Sequence, residues 1–277
     1  MNEVILLTGA TGFFGKAVLK ELENKNCKLR LVIRPESKRK IQIPTNLEKI
    51  LYCDDIFSQN ESWWKDACKD VNTIIHLAWY VKHDDYINSP ENIRCLTGSL
   101  NMFNAAINSN VKRIAAVGTC LEYSNDNSIL YTNTELNPVN LYESTKSALY
   151  LTASSLCRMN DIDFLWGRLF YMYGDGEASQ RLIPYIHDNI KKGIKVKINN
   201  SDLVRDYLDV NKAAKQWVNY VIGRKNGVVN ICSGKGVKIA DIAIKIAKKY
   251  NKSDLLILNK STSKSIPKTI IGSKKRK

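Results

Sequence analysis

Tyr142 and Lys146 stand four residues apart in the run Tyr142-Glu143-Ser144-Thr145-Lys146. On a helix that spacing stacks a phenol and an ammonium on one face. A nearby cation stabilises phenolate, which brings a hydroxyl with an ordinary pKa of about 10 closer to working pH and suits it to general acid/base chemistry. Tyr-x-x-x-Lys occurs by chance in many helices, so its meaning depends on what accompanies it. Two features do. Thr119 ends the apolar run Arg113–Thr119 and offers a hydroxyl at a strand end. At the start of the chain, Thr8-Gly9-Ala10-Thr11-Gly12-Phe13-Phe14-Gly15 follows the strand pattern Glu3–Thr8 and precedes a helix pattern. Glycines spaced three apart let the turn tighten, let backbone amides approach a pyrophosphate, and let the helix pack close to the strand with the phosphate at its N-terminus. The reading is a dinucleotide site.

The second strand pattern, Lys28–Arg34, ends nineteen residues beyond Gly15. An NAD site would place Asp or Glu there for the ribose 2′-hydroxyl. This chain has Arg34, with Ser37, Lys38 and Arg39 following. A guanidinium can grip a 2′-phosphate in bidentate fashion, so NADP(H) is expected in preference to NAD(H). The competing reading is an exposed basic loop.

These side chains need elements to carry them. Thr73–Ala78 and Arg113–Thr119 continue the short runs rich in Val, Ile and Leu, and helical stretches such as Gly15–Asn26 separate the first ones. Strand alternating with helix predicts an α/β fold, a Rossmann-type doubly wound parallel sheet covered on both faces. Residues 1–165 are expected to form the dinucleotide-binding domain. Residues 166–277 are expected to form a smaller, mainly substrate-binding region, with 163–169 and 228–232 returning to the sheet. Ile239, Ile242, Ala243, Ile246, Ala247 and Tyr250 keep helical spacing and predict a helix laid on a core.

Composition narrows the classes. With 42 Lys+Arg against 27 Asp+Glu, a formal charge of +15 and 44% hydrophobic residues, the chain reads as globular rather than disordered. No run approaches the ~18 apolar residues of a membrane span, and the first residues lack a basic leader pattern, so a cytoplasmic protein without membrane association is expected. Seven cysteines lie scattered singly, which supports neither a disulfide framework nor a metal site. Residues 251–277 hold eight Lys/Arg and one acid, yet no nucleic-acid motif accompanies them. They read as a solvated basic terminus.

The sequence resembles the extended short-chain dehydrogenase/reductase family, in its nucleotide-sugar epimerase/reductase branch, over about the first 250 residues. Besides the glycine loop, Thr119, Tyr142 and Lys146, its marks are Asp55-Ile56, His76-Leu77-Ala78, Tyr123, Tyr173-Gly174 and Arg205-Asp206-Tyr207. The resemblance implies that Tyr142 is the general acid/base, that Lys146 holds the nicotinamide ribose and depresses the Tyr142 pKa, and that Thr119 bonds the reacting oxygen. It places Asp55 and Ile56 beside the adenine. Leu77, Ala78, Trp79 and Leu169 also fall at the cofactor, and Tyr171 at the substrate ring. Arg205 would bind the substrate diphosphate, with Arg181 and Leu182 lining the nucleotide pocket. A homodimer is implied. Relatives usually continue into a last helix beyond the point reached at Lys277, so either the C-terminal region is minimal or this is a shortened version.

Plainer roles compete for several of these residues. His76, in an apolar run, reads as a packed core histidine, and Trp79 and Trp166 read as core or pocket wall. Cys120 is the one thiol beside Thr119 and reads as packing rather than nucleophile. Arg205 is also open to a simple salt bridge. Relatives that dehydrate their sugar carry Asp-Glu after the Thr, where this chain has Cys120-Leu121. The bifunctional epimerase-reductases carry Cys two residues after it, where Leu121 stands, and a His after the Tyr-Gly pair, where this chain has Asp175-Gly176-Glu177. The expectation is therefore hydride transfer at C4: NADPH-dependent reduction of a nucleotide-linked 4-keto sugar for a surface polysaccharide or deoxysugar. The alternatives are a 4-epimerase or 4-dehydrogenase using NAD, and a non-catalytic protein that senses NADP(H) or binds nucleic acid.

Overall fold

A computed structural model describes residues 3–124, 128–263 and 266–277. The elements run β1 (Glu3–Thr8), α1 (Phe13–Glu23), β2 (Cys27–Ile33), β3 (Leu47–Tyr52), α2 (Glu61–Cys68), β4 (Thr73–His76), α3 (Glu91–Asn108) and β5 (Arg113–Thr119). They continue β6 (Ile129–Leu130), α4 (Leu141–Met159), β7 (Asp163–Leu169), β8 (Tyr171–Tyr173), α5 (Leu182–Lys192), β9 (Val196–Ile198) and β10 (Val204–Asp209). The last are α6 (Val210–Ile222), β11 (Gly227–Ile231), β12 (Gly236–Lys238), α7 (Ile239–Lys249), β13 (Leu256–Leu258) and β14 (Thr269–Gly272).

Seven parallel strands form the main sheet in the order β11-β7-β5-β4-β1-β2-β3. Its outward-running order, reversing beside β1, is the doubly wound α/β arrangement. Every residue of β4 and β5 is buried, as a parallel strand covered on both faces requires. Alternation within β1 sorts the two faces. Ile5 and Leu7 pack with Leu29 and Leu31 against α1 and α6, around Trp217. Leu6 points the other way, with Ile74, Ile114 and Trp64, under α2, α3 and α4.

A second sheet, β12-β10-β14-β6, carries β8 on β10, and β9 pairs with β13. Beside them α5 and α7 share a small core of Ile186, Ile190, Val196, Ala243 and Ile246.

The expected boundary at 165/166 is crossed more heavily than the sequence suggested. Besides β7 and β11, the whole of α6 belongs to the main layer, because its apolar stripe Ala213, Ala214, Trp217, Val218 and Val221 covers the α1 face. Several strand ends also shift. β2 runs Cys27–Ile33 and stops one residue before Arg34, β11 runs Gly227–Ile231 rather than 228–232, and β4 stops at His76, so Leu77 and Ala78 leave the sheet as loop. Among the described residues no helix is long and apolar enough to cross a membrane.

Candidate active site

A cavity of about 940 Å³ lies over the C-terminal ends of β1, β2, β4, β5 and β7, and its wall includes Gly9, Arg34, Leu77, Thr119 and Leu169. This is the crevice in which open parallel sheets bind ligands.

At one part of the floor the glycine loop makes a cradle. Gly9 has φ +76, and a Cβ there would come 2.6 Å from the Ala78 amide nitrogen. A Cβ on Gly15 would collide with the Gly9 carbonyl. Only glycine therefore lets the turn close, through Gly12 N–H donating to the Gly9 carbonyl at 3.1 Å. Gly12 also N-caps α1 with no side-chain hydrogen bond, leaving first-turn amides facing the cavity mouth beside Thr11, Phe13 and Phe14. The loop and helix fit a pyrophosphate.

Next to the cradle, Arg34 is 66% exposed and faces Glu36 at 3.8 Å. Across from it, Asp55 accepts from the Phe57 amide at 3.0 Å and pairs with Arg94, which Glu91 also holds. Ile56 adds to this wall. Three expected cofactor residues stand off the cavity. Thr8 is buried behind the loop, where its hydroxyl bridges to His76 Nδ1 at 2.8 Å. Ser37 is turned inward, and Lys38 borders a separate shallow depression with Arg39.

At the far end Tyr142, Thr119 and Lys146 converge. Asn140 caps α4 by accepting from the Glu143 amide at 3.0 Å, which starts the helix just before Tyr142. One turn on, Lys146 is buried and donates to the Val117 carbonyl at 2.9 Å, with Nζ 3.8 Å from the centroid of the Trp79 ring. Burial pulls the Lys146 pKa down to about 7, opposed by Glu122 and Cys95. Burial likewise pushes the Tyr142 phenol above its ordinary value, and the nearby Tyr86 adds to this while hydrogen bonding with Thr119 opposes it. The expected depression of Tyr142 by Lys146 is thus not what the structure has. The ammonium is turned to a backbone carbonyl and an indole face, and desolvation dominates the phenol.

Several groups that matter here are missing from the sequence reading. Glu122 is fully buried and accepts from the Thr119 amide at 2.7 Å, Arg168 Nε at 2.8 Å and Trp166 Nε1 at 3.1 Å. Arg168 in turn lies 4.3 Å over the Tyr123 ring. That network fixes the turn carrying Thr119. Its one legible trace is the Thr-x-x-Glu spacing of a capping box. Tyr86 meets Tyr142 edge to face at 4.9 Å, and Glu177 pairs with Arg181 across 3.7 Å at the cavity wall. Long-range packing sets both, and no local pattern announces them.

Of the expected substrate residues, Tyr171 and Arg181 line the cavity, whereas Leu182 and Arg205 do not. Arg205 is buried behind Tyr171, donating to the Val204 and Lys268 carbonyls at 2.8 and 3.3 Å. One guanidinium nitrogen, Nη1, is thus bonded within the second sheet, and the side chain stands off the cavity wall. The plainer readings hold for His76 and Cys120. His76 Nε2 meets Ser99 Oγ at 2.9 Å, and burial, with Lys146 adding to it, pulls the ring to about 3, so it stays neutral. Burial pushes the Cys120 thiol up, away from thiolate.

Residues 5–232 match the model of the NAD dependent epimerase/dehydratase family. The chain belongs to that family. Among curated proteins, this family member is 25% identical over 261 residues to dTDP-6-deoxy-L-talose 4-dehydrogenase (NAD(+)) of Aggregatibacter actinomycetemcomitans, covering 89% of this chain and 93% of that one. It is 24% identical over 259 residues to CDP-abequose synthase of Salmonella typhimurium, covering 88% and 80%. Among solved structures it is similar in fold to the UDP-N-acetylglucosamine 4-epimerase from Methanobrevibacter ruminantium M1 in complex with UDP-N-acetylmuramic acid. That likeness has TM-score 0.86 and 21% identity, over 98% of this chain and 89% of that one.

Proposed function

We propose that the protein reduces the 4-keto group of a nucleotide-linked sugar with NADPH. The observation that carries the reading is one cavity with the glycine cradle at one end and Thr119, Tyr142 and Lys146 at the other. A nicotinamide dinucleotide held by Gly9, Gly12, Gly15 and the α1 amides supplies the hydride. Tyr142, kept protonated by its surroundings, gives its proton to the C4 oxygen, and the Thr119 hydroxyl hydrogen-bonds the same oxygen as charge develops. Lys146 needs only to exchange its Val117 carbonyl for a ribose hydroxyl to fix the cofactor's reacting end. The Aggregatibacter relative, named as a 4-dehydrogenase, supports C4 as the reacting carbon.

Arg34 supports the choice of NADPH, since it stands exposed on the cavity wall just past β2 and a guanidinium can grip a 2′-phosphate. We expect NADPH to bind more tightly than NADH, and Arg34→Asp to reverse the order in fluorescence titrations. Equal affinities that ignore the substitution would remove Arg34 from the argument. Support for a homodimer comes from α3 and α4, which pack on each other and expose Ile93 and Leu151. Sedimentation at micromolar concentration tests that.

The deciding experiment incubates protein and NADPH with dTDP-, UDP-, GDP- and CDP-linked 4-keto sugars, following absorbance loss and product configuration. Interconversion of 4-hydroxy epimers without added cofactor would instead make the protein a 4-epimerase.

A further inference from the structure

The cavity wall between β8 and α5 holds a carboxylate that the reaction above leaves unused. Gly174 and Gly176, with φ +142 and +85, fold the chain into a tight turn, and the Glu177 amide closes it by donating to the Gly174 carbonyl at 3.2 Å. The turn fixes Glu177 against the cavity with its side chain only 5% exposed. One oxygen, Oε1, lies 3.7 Å from Arg181 Nε, while Oε2 is buried with no hydrogen-bond partner. Burial accordingly pushes this carboxyl above its ordinary range, which Arg181 and the Gly174 backbone counter only in part.

An acceptor left unsatisfied at the wall of a ligand cavity is costly unless the ligand brings a donor. Its position favours the sugar. Arg181 acts electrostatically on both Tyr86 and Tyr207, and Tyr86 abuts Tyr142, so Glu177 and Arg181 belong to the same end of the cavity as the reaction centre. The cradle that fits the pyrophosphate lies at the other end. A sugar ring offers hydroxyl donors close to the reacting carbon, whereas the diphosphate group offers only anionic oxygens, and those suit Arg181.

Resting on the nucleotide-sugar reading, we infer that Glu177 is a specificity-determining residue that accepts a hydrogen bond from a ring hydroxyl of the sugar, with Arg181 beside it facing the diphosphate. A charged acceptor matched to a hydroxyl rejects a ligand lacking that group, because the carboxylate is then left buried and unpaired. Removing the carboxylate should therefore erase the preference for a sugar over no sugar. Affinity for the nucleotide portion should remain.

Calorimetry on the full chain, loaded with reduced cofactor so that a C4 alcohol cannot react, compares dTDP-, UDP-, CDP- and GDP-glucose with the matching free diphosphates. For the best-bound base, wild type should bind the glucose nucleotide roughly 10- to 100-fold more tightly than the diphosphate, the range of a hydrogen bond to a charged group. Glu177→Ala should reduce that ratio to near unity. Glu177→Gln, which keeps an acceptor oxygen, should retain part of it, and neither variant should weaken cofactor binding. A ratio unchanged in Glu177→Ala overturns the inference and leaves the proposed function standing. Parallel loss of diphosphate and sugar-nucleotide binding in both variants, with cofactor binding intact, overturns it as well by making Glu177 a support of Arg181. If wild type binds none of the eight ligands, the nucleotide-sugar reading falls and the inference falls with it.

Discussion

Tyr142, the proposed acid, lines the cavity, and its ring is held by Tyr86 at 4.9 Å. Removing only its hydroxyl leaves that ring contact in place. We expect Tyr142→Phe to lower kcat by roughly 10²-fold or more, the usual contribution of a positioned proton donor, with cofactor affinity unchanged in equilibrium titration. A KM effect without a kcat effect would assign Tyr142 to binding instead. Lys146 yields a different measurement. Its pKa in the folded chain is about 7, against an ordinary 10.5. Between those values the unfolded chain binds more protons than the folded one, so stability rises with pH. Lys146's contribution is full above 10.5 and is lost as pH falls toward 7. From pH 7 to 9 this group alone should add about 2 kcal/mol to the cofactor-free protein. The seven buried thiols, raised by burial in the folded chain and ionising in the unfolded one, pull the other way. The Lys146 share is therefore read as the difference between wild type and a variant without the amine. Urea unfolding at the two pH values should show wild type changing by about 2 kcal/mol more favourably than Lys146→Met, in which the thiols act alone. Equal slopes in the two proteins would mean that Lys146 is solvated in solution.

Strand β5 delivers Thr119, but the turn after it decides where the hydroxyl sits. Glu122 satisfies the Thr119 amide and neutralises Arg168 on the neighbouring strand β7, with the two side chains 0% and 2% exposed. Such a pair adds little over a well-packed apolar substitute, yet breaking it strands a buried charge. We expect Glu122→Ala to cost about 3–5 kcal/mol, the range for removing one partner of a buried ion pair, read as a lower urea midpoint. Tyr142→Phe should leave that midpoint nearly unmoved. A loss below 1 kcal/mol for Glu122→Ala would show that Arg168 is not held by this carboxylate. The contrast separates a side chain proposed to give a proton from one that aims its neighbour.

Sheet order makes the two halves of the chain interdependent. Strands β7 and β11 extend the main sheet beyond β5, and α6 covers the face of α1 with Trp217 at 0% exposure. A fragment of residues 1–165 would leave β5 as an unpaired edge and the apolar side of α1 open to water. It should bind a hydrophobic dye and unfold without a sharp urea transition, whereas the full chain unfolds cooperatively. A fragment with native near-ultraviolet circular dichroism and a steep transition would refute this dependence.

The glycine loop, the strand–helix alternation and the Tyr142/Lys146 spacing are local, because each is set by backbone freedom or helical period within a few residues, and all were legible in the chain. The paired strands and the cradle geometry follow directly from them. Boundaries drifted where a side chain could serve either strand or loop. Leu77 and Ala78 are apolar enough to extend β4, but they turn away to form cavity wall. Charge environments were not legible at all. Tyr142 and Lys146 have the types and spacing of an activated pair, yet burial reverses the shift expected for the phenol and ties the ammonium to Val117 and Trp79. Arg205 carries a motif that suggests an anion, yet it stands off the cavity wall with Nη1 on the carbonyls of Val204 and Lys268. Glu122 and Glu177 lie in unremarkable stretches, and what distinguishes them is partners 46 residues away in β7 for one and an unfilled oxygen at a cavity wall for the other. Local chemistry chose which elements form and where the cofactor loop lies. Desolvation and long-range pairing, which exist only once the sheet has closed, chose which side chains are charged, which are engaged, and which remain open to a substrate.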